Sequence, residues 1–353
     1  MSSPPSPAPK SGRVVLAHGG GGELMNHLIR DHIVPPLAND VLNALSDGAV
    51  LPRPAGRLVF TTDTYVVTPL EFPGGDIGRL AVAGTVNDVA VMGARPQALS
   101  MGLVIEEGLP FEVLDRVMAS VAATATEAGV AVVTGDTKVI ERRRPADEQA
   151  RAAADGLFIN TAGVGTLDPA IQLGLEHIQP GDSVLVNGTI ADHGLAVMSL
   201  RNGIEFDSPL CSDAAPLNGL IAGLLELGDG VRFLRDATRG GVAGVFADIC
   251  DHCGLSVEIV EPRVPLSPTA RHAAEMLGLD PLNVANEGKV VCVVAAEAAG
   301  DVLAAMHRHP LGRNAACIGS ITAGTPALVE LITRAGGRRI VQRPYGEDLP
   351  RIC

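Results

Sequence analysis

Two kinds of residue in this sequence could do chemistry: a cysteine at the very end of the chain and a scattered set of aspartates. Cys353 is the last residue, and two prolines that disfavour a helix, Pro344 and Pro350, lie shortly before it. A thiol on such an arm could carry a covalently attached group into an active site. A terminal cysteine can equally be an accident of sequence, so its meaning depends on the residues upstream.

The aspartates occur in contexts that suit metal and phosphate binding. Asp63 lies in an apolar strand pattern, Asp88 inside an apolar helix pattern, Asp136 just after a strand, and Asp236 at a glycine-rich turn between a strand and a helix. Carboxylate oxygens are ligands that Mg²⁺ takes alongside phosphate oxygens. A carboxylate inside an apolar helix is costly to bury unpaired, so Asp88 either faces solvent or meets a cation. Taken singly, each aspartate could also be a helix cap or an exposed residue.

A glycine run near the N-terminus is a second candidate for ligand binding. It comprises Gly19, Gly20, Gly21 and Gly22, and it follows a short strand pattern and His18. Because glycine lets the backbone approach a ligand closely, this segment could cover a phosphate. It does not match the Walker-type phosphate loop, since no lysine follows it. A flexible turn beside a structural histidine is the alternative.

The elements that must position these residues form two blocks in which strand and helix patterns alternate. We predict a disordered leader over residues 1–12, a first domain over 13–168, a second domain over 169–342, and a mobile tail over 343–353. Alternating helices with paired strands favour an α/β (α+β) fold, and 353 residues suffice for two such domains. The Ser- and Pro-rich leader lacks the apolar core of a signal peptide.

Composition excludes several classes of function. A formal net charge of −13 opposes nucleic-acid binding, which needs a basic face. No uninterrupted apolar run is long enough to predict a membrane span. The six cysteines are scattered through a large chain, which suits reduced thiols in the cytoplasm. Cys250 and Cys253 form a single C-x-x-C pair, which we interpret as packed or surface thiols rather than zinc ligands.

Several segments together resemble the HypE family of hydrogenase maturation factors, the carbamoyl dehydratases of the PurM-like ATP-binding superfamily. In chain order they read HGGGGE, TTDTYVVTP, GTVNDVAVMGARP, GDTKV, RDATRGG, NEGK and a terminal PRIC. The resemblance extends from about Val14 to Cys353. The terminal PRIC distinguishes this family from other members of the superfamily.

The resemblance implies a two-domain PurM-like architecture with a flexible C-terminal tail, and a homodimer formed through strands of the first domain. It also implies that ATP binds at the edge of that domain, partly under the glycine-rich segment, with Mg²⁺ held by Asp63, Asp88, Asp136 and Asp236. The residues then assigned to nucleotide binding are His18, Gly19, Gly20, Gly21, Gly22, Asp63, Asp88, Asp136, Thr137 and Asp236.

The activity implied by the resemblance is ATP-dependent dehydration of a carbamoyl group carried on the Cys353 thiol. The product is a thiocyanate that supplies cyanide for the iron of nickel–iron hydrogenase. Phosphorylation would convert an oxygen that leaves poorly into phosphate, which leaves readily. We assign Glu287 as general base and Lys138 as the group that orients or neutralises the developing phosphate. A HypF-type carbamoyltransferase would load the thiol, and a HypC–HypD iron scaffold would receive the cyanide.

Two other interpretations of the sequence stay open. Another PurM-like ATP enzyme, of the selenophosphate synthetase or small-molecule kinase type, would leave the tail inert. A selenophosphate synthetase would need a reactive cysteine or selenocysteine near the glycine-rich segment, but the first cysteine is Cys211. A non-catalytic scaffold for maturation partners would turn over no nucleotide, and the set of four aspartates argues against it.

Overall fold

The computed structural model of the protein describes residues 12–52, 56–142, 156–204, 206 and 210–343. Most of the predicted leader and most of the predicted tail, including Cys353, lie outside these residues. Among the helices described, none is long and apolar enough to cross a membrane.

Helices and strands alternate along the described chain. The strands are β1 (Arg57–Tyr65), β2 (Glu71–Phe72), β3 (Gly75–Asp76), β4 (Ala94–Glu106), β5 (Ala131–Ile140), β6 (Leu157–Leu167), β7 (Ser183–Val186), β8 (Val231–Asp236), β9 (Leu255–Val260), β10 (Val290–Val294), β11 (Ala316–Ala323), β12 (Val329–Ile332) and β13 (Arg338–Ile340). The α-helices are α1 (Glu23–Leu28), α2 (Val34–Leu37), α3 (Ile77–Val91), α4 (Phe111–Ala128), α5 (Asp192–Arg201), α6 (Asn218–Leu225), α7 (Gly241–Cys253), α8 (Pro268–Leu277) and α9 (Ala299–Arg308).

The first half of the chain builds a four-stranded sheet in the order β1-β6-β4-β5. Strand β6 pairs antiparallel with both β1 and β4, whereas β4 and β5 are parallel and are joined through helix α4. Helix α3 packs against this sheet and is apolar almost all round, with Leu80, Val82 and Val86 fully buried. The sheet and α3 therefore share one largely aliphatic core, as expected of a chain in which aromatic residues make up only 3%.

Helix α3 begins and ends where its sequence dictates. Asp76 caps its N-terminus, since the carboxylate accepts a hydrogen bond from the backbone N–H of Arg79 at 2.9 Å. Gly93, just beyond its C-terminus, has a φ of +80°, a conformation that favours glycine. These ends fix which residues of the helix reach the neighbouring strand β1 and the second half of the chain.

The second half builds a seven-stranded sheet in the order β13-β12-β9-β11-β7-β10-β8. One face is covered by α7, through residues such as Phe246, and the other by α6 and α9, through Leu220 and Met306. Every residue of strand β10, which lies between β7 and β8, is buried, as expected of a strand covered on both faces. Strands β8 and β10 hold the segments that carry Asp236 and Glu287.

Candidate functional site

The acidic site starts at the contact between strand β1 and helix α3. The hydroxyl of Thr61 on β1 donates a hydrogen bond to Oδ2 of Asp88 on α3 at 3.0 Å. Asp63 lies two residues further along β1, so its side chain points to the same side of the sheet as that of Thr61. The local pattern of β1 and the position of Asp88 near the end of α3 thus place two carboxylates together.

A third carboxylate comes from the second half of the chain. Asp236 is the last residue of β8, and its carboxylate accepts a hydrogen bond from the hydroxyl of Thr238. Burial, followed by the charges of Asp236 and Asp63, raises the pKa of Asp88 to about 7. Burial also raises the pKa of Asp236, to which the charge of Asp63 adds. The three carboxylates therefore share one negatively charged site.

Glu287 faces the same site from the segment that precedes β10. Its side chain is only 4% exposed, and Oε1 has no hydrogen-bond partner among the residues that the structure describes. Burial, followed by the charges of Asp213 and Asp236, raises the pKa of Glu287 well above its usual range. A carboxyl group in this environment favours its protonated form, and once ionised it accepts a proton readily.

A second group of predicted residues lies on strand β5. The ammonium of Lys138 lies 2.5 Å from the carboxylate of Asp136, and both side chains are exposed. This hydrogen bond lowers the pKa of Asp136 below its usual range. Thr137 between them is buried. Asp136 is therefore a charged, accessible carboxylate with its own counter-ion.

The glycine-rich segment lies beside this second group. Gly19 packs directly against β5, because a Cβ placed on it would lie only 3.0 Å from the Cβ of Val139. Gly21 has a φ of +72° and open space around it. His18 is buried, and its Nδ1 accepts a hydrogen bond from the backbone N–H of Val15 at 2.9 Å, so it has a structural role in the local turn.

A cavity of about 480 Å³ opens beside Asp136 and Thr137. Its other walls come from the N-terminal helices and from the sheet, through apolar residues such as Met25, Ile29 and Met101. Volumes of this size accept small ligands. An apolar chamber next to a glycine-rich segment and a charged carboxylate suits the base and phosphates of a nucleotide.

The two groups lie at opposite edges of the first sheet. Residues Asp63, Thr161, Met101 and Gly135 form one row across the four strands. Three strand spacings place the ends of this row about 14 Å apart. One chain therefore brings Asp63, Asp88, Asp236 and Glu287 together and leaves Asp136, with Thr137, Lys138 and the glycines, at the far edge.

The first group fits a divalent cation in its chemistry. Burial is the largest cause of the raised pKa values at Asp88, Asp236 and Glu287, and repulsion between neighbouring carboxylates adds to it. Aspartate oxygens are suitable Mg²⁺ ligands, and a cation would relieve this repulsion. Over the described ranges, however, no group of three or more His, Cys, Asp or Glu side chains already has the geometry to hold a metal ion.

Three residues not predicted from the sequence contact the backbone of Glu287 or a residue that binds it. Asn87 donates to the carbonyl of Glu287, Asp213 accepts from its N–H, and Lys289 pairs with Asp213. Asn87 and Lys289 occur in the quoted motifs NDVAVMGA and NEGK, which could have drawn attention to them. Asp213 lies in a segment without a recognisable motif.

Cys250 and Cys253 are free thiols near the end of α7. Cys250 is buried, and burial raises the pKa of its thiol to about 11. Cys253 lies 3.3 Å from the carbonyl of Leu175, to which its thiol donates. Cys250 therefore packs in the interior, whereas Cys253 is half-buried at the end of the helix.

Family models match both halves of the chain. Residues 45–167 match the N-terminal domain of AIR synthase related protein, and residues 179–329 match its C-terminal domain. Together these two matches account for most of the described residues.

Individual relatives match over almost the full length. Carbamoyl dehydratase HypE of Rhizobium leguminosarum bv. viciae is 48% identical over 344 residues, which cover 97% of this chain and 96% of the relative. Carbamoyl dehydratase HypE of Escherichia coli (strain K12) is 46% identical over 345 residues, covering 96% of this chain and 99% of the relative.

Solved structures match the fold equally well. The hydrogenase maturation protein HypE in complex with ATP has a TM-score of 0.89 and 41% identity, covering 96% of this chain and 99% of that one. A chain in the HypE–HypF complex has a TM-score of 0.77 and 43% identity, covering 92% of this chain and all of that one.

Proposed function

The chain belongs to the HypE family of carbamoyl dehydratases, with its two-domain PurM-like architecture, and we propose that it dehydrates a carbamoyl group carried on its own Cys353. ATP is the phosphoryl donor, and the product supplies cyanide for hydrogenase maturation. The observation that carries the proposal is the buried Glu287, whose Oε1 has no hydrogen-bond partner in the described part of the chain. It faces a cluster of aspartates in a chain that ends in a thiol.

The reaction converts a thiocarboxamide into a thiocyanate with loss of one water. The carbamoyl oxygen attacks the γ-phosphorus of ATP and ADP leaves, while the nitrogen loses one of its two protons. The carbon–oxygen bond then breaks, phosphate departs, and the second proton leaves as the C≡N triple bond forms. The atoms of water thus end in the phosphate and in the two protons released.

In this reaction Glu287 takes a proton from the nitrogen of the carbamoyl group. Its buried position and acidic neighbours raise its pKa, so Glu287 must be ionised to act as base, and in that form it binds a proton strongly. Lys138, exposed on β5 and paired with Asp136, orients or neutralises the phosphate as it forms.

Asp63, Asp88 and Asp236 of one chain hold Mg²⁺ in this proposal. Asp136 lies at the far edge of the same sheet, so it would join them only from a second copy of the chain. Mg²⁺ supplies neutralisation of the triphosphate when it is bound. The crystal structure of a relative, hydrogenase maturation protein HypE, contains ATP, which supports a nucleotide site in this chain. His18 with Gly19–Gly22 and Thr137 are proposed to line the phosphate end of that site.

A homodimer is part of the proposal, because one face of the first sheet is open. Leu58 and Phe60 on β1 are 60% and 65% exposed, and Ile140 on β5 is 40% exposed. Large apolar side chains on an open sheet face are typical of a covered interface. Asp136 and Lys138 lie on this same face. A second copy placed there would bring its own strands toward them, so the two groups of nucleotide-binding residues can meet across the interface.

Two partner proteins are proposed on the basis of the family. A HypF-type carbamoyltransferase loads Cys353, which is supported by the solved HypE–HypF complex of a relative. A HypC–HypD iron scaffold receives the cyanide. We propose that the protein works in the cytoplasm, where scattered cysteines such as those of this chain stay reduced.

The experiment that tests the proposal compares three full-length proteins: wild type, Cys353→Ala and Glu287→Gln. Each is incubated with the carbamoyltransferase, carbamoyl phosphate and Mg·ATP, and thiocyanate on the tail is measured by mass spectrometry. We expect thiocyanate on wild type, an unmodified tail on Cys353→Ala, and a carbamoylated tail that does not dehydrate on Glu287→Gln. Thiocyanate formed by Glu287→Gln at the wild-type rate would remove the residue as base, and an inert Cys353 would favour another PurM-like activity.

A further inference from the structure

The peptide units around Glu287 are held by side chains from distant parts of the chain. Glu287 lies in an irregular segment before β10, so neither a helix nor a strand fixes its backbone. Its N–H donates to Oδ1 of Asp213 at 3.1 Å, and its carbonyl accepts from Nδ2 of Asn87 at 3.3 Å. Both backbone groups of this residue are therefore satisfied by side chains.

Both the Nδ2 and the Oδ1 atom of Asn87 make hydrogen bonds to backbone groups. It is 2% exposed and immediately precedes Asp88 on helix α3. Besides its bond to Glu287, Nδ2 donates to the carbonyl of Ala215 at 3.1 Å, and Oδ1 accepts from the N–H of Leu217 at 2.7 Å. One buried side chain thus joins the helix that carries Asp88 to the segments that carry Asp213 and Glu287.

Asp213 is itself fixed by a buried ion pair. Its Oδ2 lies 2.8 Å from Nζ of Lys289, and both side chains are at most 10% exposed. Burial would raise the pKa of Asp213, but the nearby Lys289 lowers it below its usual range, so the carboxylate is charged. A Cβ on Gly288 would lie 1.9 Å from the carbonyl oxygen of Asp213, which shows how closely the two segments are packed.

The side chain of Glu287 needs this support, because Oε1 has no hydrogen bond of its own among the described residues. The position of the carboxylate then depends on the backbone that carries it. We infer that Asn87 and Asp213 are positioning residues, which fix Glu287 relative to Asp88 and Asp236 through its backbone. This inference rests on the proposed role of Glu287 as base. A misplacement of about 1 Å in such a site can slow a reaction about 100-fold.

The test measures single-turnover dehydration of the carbamoylated full-length protein with saturating Mg·ATP. Asn87→Ala removes the donor to the Glu287 carbonyl, and Asp213→Ala removes the acceptor of the Glu287 N–H. The matched control is Asn218→Ala, which removes a similar bond, from Nδ2 to the carbonyl of Ala128 at 2.8 Å, away from Glu287. We expect dehydration to slow by about 30- to 100-fold in the two test variants and to stay within about 3-fold in the control.

Two further readouts separate positioning from general structural damage. Affinity for Mg·ATP, measured by calorimetry, and carbamoylation of Cys353 should stay within about 3-fold of wild type, since neither needs Glu287 in place. In a Glu287→Gln background, Asn87→Ala should cause no further loss of dehydration rate, because residues that act as one unit are not additive.

Three results would overturn the inference. They are a wild-type rate in both test variants, a loss of nucleotide affinity as large as the loss of rate, or a full additional loss in the Glu287→Gln background. If Asn87→Ala does not fold, Asp213→Ala gives the same comparison. A wild-type rate in Glu287→Gln alone has a different meaning, since it rejects the proposed base and not the hydrogen bonds around it.

Discussion

Replacing Asp88 with asparagine should stabilise the nucleotide-free protein and at the same time abolish the proposed binding of Mg·ATP. The pKa of Asp88 is raised from the ordinary 3.8 to about 7 by burial and by the charges of Asp236 and Asp63. Between these two values the folded state holds a proton that the unfolded state has lost, so stability falls as the pH rises. At about 1.4 kcal/mol per pKa unit, the loss is at most roughly 4 kcal/mol and is complete above pH 7.

Asparagine removes this charge while its amide oxygen can still accept the hydrogen bond from Thr61. We therefore expect Asp88→Asn to be more stable than wild type by about 1–3 kcal/mol at pH 8 and by almost nothing at pH 4. For a domain of this size, that difference corresponds to a rise in Tm of several degrees, at about 2–4 °C per kcal/mol.

The assay follows thermal unfolding in chelator at several pH values from 4 to 8, for wild type, Asp88→Asn and the exposed control Asp301→Asn. Titration calorimetry with Mg·ATP at pH 8 completes it. The wild-type Tm should fall relative to the variant as the pH rises, and the control should follow wild type. A variant that gains no stability at pH 8 would refute the view that burial of the Asp88 carboxylate destabilises the protein. A variant that binds Mg·ATP with wild-type affinity would refute the role of Asp88 as a metal ligand.

Three further predictions concern other parts of the site. Lys138→Ala should slow dehydration and return the pKa of Asp136 toward its usual range without changing Tm, because the pair is exposed; unchanged single-turnover rates would remove its proposed role. Gly288→Ala should lower Tm strongly, since its Cβ would collide with the carbonyl of Asp213, and a wild-type melting curve would contradict that packing. Phe60→Glu should convert the proposed homodimer to monomer in analytical ultracentrifugation, whereas a dimer that persists would place the interface elsewhere.

Local features of the fold could be predicted from the sequence. The cap at Asp76, the end of α3 before Gly93, and the hairpin of β12 and β13 around Gly336 follow from capping and turn preferences, which depend on neighbouring residues only. The family resemblance identified the two-domain PurM-like architecture, and the comparisons confirm it. These features need no knowledge of distant contacts.

The arrangement of the site could not be predicted in the same way. Strand β6 comes late in the chain yet lies between β1 and β4, which places Asp136 three strands from Asp63. The order of the motifs along the sequence does not show that β6 lies between β1 and β4 in the sheet. Asn87 meets its partners Ala215 and Glu287 across 128 and 200 residues of sequence. The sequence shows that the polar residue Asn87 precedes Asp88, but only the packing of the two halves of the chain shows what Asn87 binds.

The central claim is tested most directly by the mass of the C-terminal peptide that carries Cys353. The full-length protein is first carbamoylated with a HypF-type carbamoyltransferase and freed of nucleotide, and then one half receives Mg·ATP. We predict that the peptide loses the mass of one water in the sample with Mg·ATP and keeps the carbamoyl mass in the other. A carbamoylated peptide whose mass does not change with Mg·ATP, or a Cys353 that is never modified, would contradict the account.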